Sequence, residues 1–175
     1  MLNILFYGNC QSQGLIYCLE CAFKANYEYI VNYEYIREKK ELPIDLIKKA
    51  DVFIYQPTKA KHGIYSTDPN IENGICSYLS PNCKKISFPY IYNSAMWVFV
   101  PENDTYKDIE PIIKLKREGH SVENIIDKFL KGEIDFEHEK RFNNCMSILK
   151  EKESECDVKV TDFILRNIFH VRLFL

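Results

Sequence analysis

Residues 1–14 read MLNILFYGNCQSQG, and the fold turns on how they are read. Leu2 to Tyr7 is a short apolar run of strand-like composition, stopped by Gly8-Asn9, a pair that readily makes a tight turn. Past the turn, Leu15, Cys18, Leu19, Ala22 and Phe23 recur at helical spacing, so Cys10 to Ser12 open a helix. The first N–H groups of a helix lack intrahelical partners and attract negative charge. A thiol held there sits in surroundings that favour its ionised, nucleophilic form. Strand, elbow and helix in this order present a nucleophile, and here the reactive atom would be sulfur.

Outward from the elbow the chain alternates. Glu28 to Tyr35 sets Tyr29, Val31, Tyr33 and Tyr35 on one side, which predicts a half-exposed strand near a sheet edge. Ile44 to Lys49 follows as a short amphipathic helix, and Ala50 to Gln56 as a strand stopped by Pro57. Thr58 to Pro69 reads as a long loop, Asn70 to Tyr78 as a helix, and Lys84 to Pro89 as a fourth strand. Such alternation is the signature of an α/β fold, a three-layer parallel sheet of about four or five strands. Its carboxyl-end crevice would gather Gly8 to Cys10, Gln56-Pro57 and Phe88 to Tyr90.

The second half is helical in pattern. Helices are expected from Asp108 to Arg117, after a Ser121 cap, from Phe136 to about Lys152, and after a Thr161 cap. Phe169 to Leu175 is an apolar tail that either docks into the core or marks a chain cut short after Leu175. One domain is expected, with a sheet core over residues 1–100 and a mainly helical part over 101–175.

Composition bounds the function. Of 175 residues 46% are hydrophobic and 27% charged, enough for a sizeable core. The net charge of -2 gives no global field for nucleic acid or an anionic membrane. No apolar run approaches the roughly 20 residues of a spanning helix, and no leader pattern is seen, so a cytoplasmic protein is expected. Seven cysteines without repeated spacing read as reduced thiols. Cys18 and Cys21 form a CxxC without a second pair, inside the helix, and are expected on its buried face.

Candidate site residues group around Cys10. The amides of Asn9 and Gln11 are costly to bury unpaired and suit an oxyanion or a ligand carbonyl, and Gln56 at a facing strand end is a further donor. Among His62, His120, His138 and His170, the best-placed base is His62, on the loop after the Gln56 strand. Lys59, Lys61 and the helix start through Ser12 could hold a phosphate group. No GxGxxG, no P-loop and no metal-ligand spacing is present.

Gly8-Asn9-Cys10-Gln11, Gln56-Pro57, Phe88-Pro89, Gly119-His120-Ser121-Val122-Glu123, Asp135-Phe136 and Val160-Thr161-Asp162-Phe163-Ile164, in this order, resemble the WcbI-like family, acetyltransferases of bacterial capsular polysaccharide biosynthesis. The resemblance spans most of the chain, and GNCQ is its most specific element. It implies an SGNH-hydrolase-like or flavodoxin-like layout, coenzyme A or acetyl-coenzyme A as substrate, and acyl transfer to a carbohydrate acceptor. Cys10 would take the elbow position that Ser holds in SGNH hydrolases, with Asn9, Gln11 and Gln56 as polar neighbours. The family's Asn-His-Pro, which follows a segment like Arg172-Leu173-Phe174, is not reached before Leu175. A carbohydrate esterase, or a coenzyme A or nucleotide binder without chemistry, are the alternatives.

Overall fold

The computed structural model describes residues 1–92 and 110–171. Of the apolar tail expected from Phe169 to Leu175, the backbone of Phe169 to Val171 is helical and residues 172–175 lie outside the described residues, as does the opening of the helix expected from Asp108. Two compact units are formed, Met1–Tyr90 with Lys152–Leu175, and Ile91–Glu151.

The first unit carries a four-stranded, all-parallel sheet of β1 (Asn3–Gly8), β2 (Asn26–Val31), β3 (Val52–Tyr55) and β4 (Lys84–Ser87), in the order β2-β1-β3-β4. Leu5 and Tyr7 point to one face, where Ile30, Ile47, Phe53 and Ile75 complete the core. Phe6 points the other way and is equally buried, on a strand that packs against helix α1 (Cys10–Glu20). Burial on both faces is why β1 reads as an unbroken apolar run. Each such side chain stabilises the fold by about 1.5–3 kcal/mol. In register, Gly8 pairs with Val31, Tyr7 with Tyr55, and Tyr55 with Ser87, so the carboxyl ends finish together. The chain passes from β1 out to β2 and then back across β1 to β3. That reversal opens a crevice between the ends of β1 and β3.

Several local expectations change. β2 is an edge strand as expected, but it stops at Val31, and Asn32–Glu38 forms helix α2. Lys39 closes that helix in the left-handed region at φ 51, and the Lys40 N–H bonds the Tyr35 carbonyl at 3.1 Å. After helix α3 (Ile44–Lys48), the expected 58–69 loop winds a 3₁₀ segment over Ala60–Tyr65. The helix expected over 70–78 shrinks to a 3₁₀ turn, Ile75–Tyr78. The Ile75 N–H bonds the Ser66 carbonyl at 3.0 Å and not one four residues back, which interrupts the helical ladder, and Gly74 permits that approach because a Cβ there would lie 2.9 Å from the same carbonyl. Cys18 and Cys21 are exposed, correcting their expected burial. Helix α1 buries only Ser12, and Cys21 caps its end, with Sγ donating to the Tyr17 carbonyl.

The second unit holds α4 (Glu110–Arg117), α5 (Val122–Leu130) and most of α6 (His138–Ser154). Pro111 falls in the first turn of α4, where its missing N–H costs nothing. Gly119 and Gly132 follow α4 and α5 with φ of 89° and 69°, conformations that favour glycine. Ser121 caps α5 by accepting the Asn124 N–H, and Ile125, Ile134 and Phe136 form a small core with Ile112 and Leu115.

The end of α6 belongs with the first unit, as does α7 (Thr161–Val171). Thr161 is not the cap of α7. Instead Glu153 Oε2 accepts the N–H groups of Val160 at 2.7 Å and Thr161 at 3.0 Å. No helix among the described residues is long and apolar enough to cross a membrane, and none of their His, Cys, Asp and Glu form a group of three or more able to hold a metal.

Candidate active site

The elbow lies at the β1 side of the crevice. Asn9 caps α1: its Oδ1 accepts the Gln11 N–H at 3.0 Å, and its carbonyl accepts the Ser12 N–H at 2.9 Å. From the end of β3, the buried Gln56 reaches across. Its Oε1 accepts the Asn9 N–H at 2.8 Å, and its Nε2 donates to Gln11 Oε1 at 3.1 Å. The Gln56 backbone N–H in turn bonds the Tyr7 carbonyl at 2.9 Å. One side chain thus ties the ends of both strands to the start of the helix, and Gly8 is the residue that lets Ser12 and Gln56 come so close.

Cys10 emerges from this scaffold exposed. Its backbone N–H has no hydrogen-bond partner among the described residues, whereas the amides of Asn9, Gln11 and Ser12 are all engaged. A thiol and a free amide on one residue, at a helix start, are the elements needed to attack a carbonyl and receive its developing oxyanion. Ser12 faces inward. It is fully buried, and its hydroxyl finds no partner.

Tyr29 is a member of the site that the sequence did not announce. Its hydroxyl donates to the Asn9 carbonyl at 2.5 Å, which braces the elbow from the edge strand. Burial, followed by the nearby Tyr33, Cys10 and Glu34, pushes its pKa up to about 12, so it remains a donor at neutral pH.

A cavity of about 540 Å³ opens at the carboxyl ends of β3 and β4. The run Tyr55 to Ala60 forms one part of its lining, with Lys59 among it; Tyr90, Lys152, Glu155 and Cys156 contribute another. The floor is fixed by hydrogen bonds: the Thr58 N–H donates to Thr67 Oγ1 at 2.8 Å, and Ser66 Oγ donates to the Thr58 carbonyl at 3.0 Å. Ser87, the last residue of β4, is tied to the segment after α6. Its N–H and hydroxyl both donate to Asp157 Oδ2 at 2.7 Å, and its hydroxyl accepts the Asp157 N–H at 2.9 Å. These donors, the Ser87 N–H first, hold the Asp157 carboxyl below its usual range.

The structure therefore joins Asn9, Gln11, Ser12 and Gln56 around Cys10, and puts Lys59 in the adjoining cavity. It does not join His62 to them. That ring is half-buried in the 3₁₀ segment, makes no hydrogen bond among the described residues and is not part of the cavity lining. Lys61 is exposed on the same segment.

Compared with known proteins, residues 3–175 match the family model described as "Polysaccharide biosynthesis enzyme WcbI". No curated protein and no solved structure matches the chain.

Proposed function

The chain belongs to the WcbI family of polysaccharide biosynthesis enzymes, and from that membership we propose that it moves an acyl group, acetyl in the simplest case, from a coenzyme A thioester to a hydroxyl of a capsular or surface polysaccharide or its precursor. The observation that carries this reading is the exposed Cys10 thiol beside its own unpartnered N–H, on an elbow held by Gln56. The Cys10 sulfur attacks the thioester carbonyl, whose oxygen is received by the Cys10 N–H. The carbon–sulfur bond to coenzyme A breaks and the coenzyme leaves as its thiol. The acceptor hydroxyl then attacks the Cys10 thioester, its oxygen takes the acyl group, and its proton returns to the Cys10 sulfur. Gln11 and Gln56 keep the elbow in place for both steps. Of the two lysines expected to meet the coenzyme's phosphates, Lys61 offers its charge to them, while Lys59 lines the neighbouring cavity. His62, on the 3₁₀ segment after β3, is the histidine we assign as base.

The test is acetyl-coenzyme A turnover and intact mass for the wild type and Cys10→Ser. Removal of the sulfur is expected to lower turnover about a thousandfold or more, as loss of a nucleophile does elsewhere, and to abolish any acetylated form of the protein. Unchanged turnover in the variant removes Cys10 from the chemistry. Acetate release from acetylated sugars without coenzyme A would favour an esterase, and coenzyme A binding without turnover a binding module.

A further inference from the structure

We propose that the cavity at the ends of β3 and β4 seats the carbohydrate acceptor and takes it as an uncharged sugar ring, an inference that rests on the acyl-transfer reading above. Position is the first argument. Gln56 lines the cavity, and the same side chain bonds Asn9 and Gln11, so the cavity adjoins the elbow through one residue. At about 540 Å³ the space falls within the range usual for small-molecule sites and suits one or two sugar rings.

Charge is the second argument. Two ammonium groups, Lys59 and Lys152, share the lining with two carboxylates, Asp68 and Glu155. A pyrophosphate or nucleotide calls for a surplus of cations, because each phosphate brings more negative charge than one lysine offsets. Sugar hydroxyls both donate and accept, so they are served by both signs at once. The third argument is Tyr90. Its ring stands at the cavity with Lys152 Nζ 5.3 Å from the centroid, which places positive charge over the electron-rich face. A pyranose also presents weakly positive C–H groups, which an aromatic ring in the lining suits, so it and the Lys152 ammonium would exchange at that ring. Finally, part of the lining is held before any ligand arrives, since Thr58 and Thr67 are already hydrogen-bonded to one another. A preformed site loses less entropy on binding.

Amide NMR of the full isotope-labelled chain tests this, with methyl glycosides of glucose, galactose and mannose as probes and coenzyme A titrated separately. At least one glycoside is expected to shift the amides of Thr58, Lys59, Thr67 and Glu155, with coenzyme A moving Asn9 to Ser12. Glu155→Ala and Tyr90→Leu should each weaken the glycoside by about fivefold or more, and leave the coenzyme A titration as in the wild type. If tens of millimolar of every glycoside leave these amides unmoved, or if coenzyme A shifts Thr67 and Glu155 and displaces the glycoside, the cavity is not the acceptor's. Glycoside binding here with no coenzyme A binding at the elbow would instead overturn the acyl-transfer reading, and with it the word acceptor, while keeping a sugar site.

Discussion

A Cβ at Gly8 would stand 2.4 Å from Ser12 Oγ and 2.9 Å from Gln56 Oε1. Both contacts are too short to keep, so Gly8→Ala must displace the serine, the glutamine or the strand end. A loss of about 1–3 kcal/mol is expected, the usual cost of overpacking. Ser12→Ala alone should be close to neutral, because the hydroxyl it removes is fully buried and unpartnered. In the double variant the shorter contact disappears and only the one with Gln56 remains, so part of the stability returns. Urea unfolding of the four proteins measures the coupling. Strict additivity would mean that Ser12 is not what Gly8 makes room for. The local order Gly-Asn-Cys-Gln was enough to locate the elbow and the helix start at Cys10, since turn, cap and helix start are signals within a few residues. The brace from Tyr29 and the inward aim of Ser12 were not legible, because each depends on which residue a distant strand or a helix's first turn sets beside it.

Among the elements, α7 shows how a helix can be capped from outside its own sequence. Burial alone would raise the pKa of Glu153, but the N–H groups of Thr161 and Val160, with the Lys159 ammonium nearby, outweigh it and hold the carboxyl below its usual value. A depressed folded-state pKa adds stability above the unfolded value of about 4.3, and that stability is lost as pH falls through the folded value. The wild type should therefore be more stable than Glu153→Gln at neutral pH, and the two should converge in acid once the carboxylate is protonated. Thermal unfolding across that range checks it; a constant gap would show that charge is not what Glu153 supplies. Thr161 had the right residue type for a cap and the right place in the pattern, yet it is already the first residue of the helix, and the carboxylate eight residues earlier accepts its N–H and that of Val160. The overlong second strand has a similar cause. Tyr33 and Tyr35 are good β-formers, but β2 ends where its partner β1 ends, and α2 instead packs against the Ala60–Tyr65 segment. Tertiary contacts decide where local preference is divided.

For the molecule as a whole, the sheet unit takes in Lys152–Leu175 because residues some seventy positions apart, Ser87 and Asp157, bond one another. No periodicity announces such a pair, so the parallel sheet was legible and the tie from β4 to the segment after α6 was not. The same unit holds both the core and the elbow, and this has a measurable consequence. Phe53 is fully buried, stacked on Tyr55 at 5.0 Å and tilted against Tyr7 at 6.1 Å. Phe53→Ala should cost about 3–5 kcal/mol, a large share of a typical total of about 5–15. On the proposed reading coenzyme A binds the native form at the elbow, and at about 100 times its dissociation constant it should return about 2.7 kcal/mol. That increment depends on affinity and not on the core, so wild type and variant should gain the same free energy wherever the elbow survives. With two compact units the chain can unfold in more than one step. The step moved by coenzyme A should then be the step moved by Phe53→Ala, followed by urea unfolding with and without the ligand. If coenzyme A stabilises a different step, its site lies outside the sheet unit and the elbow is not where it binds.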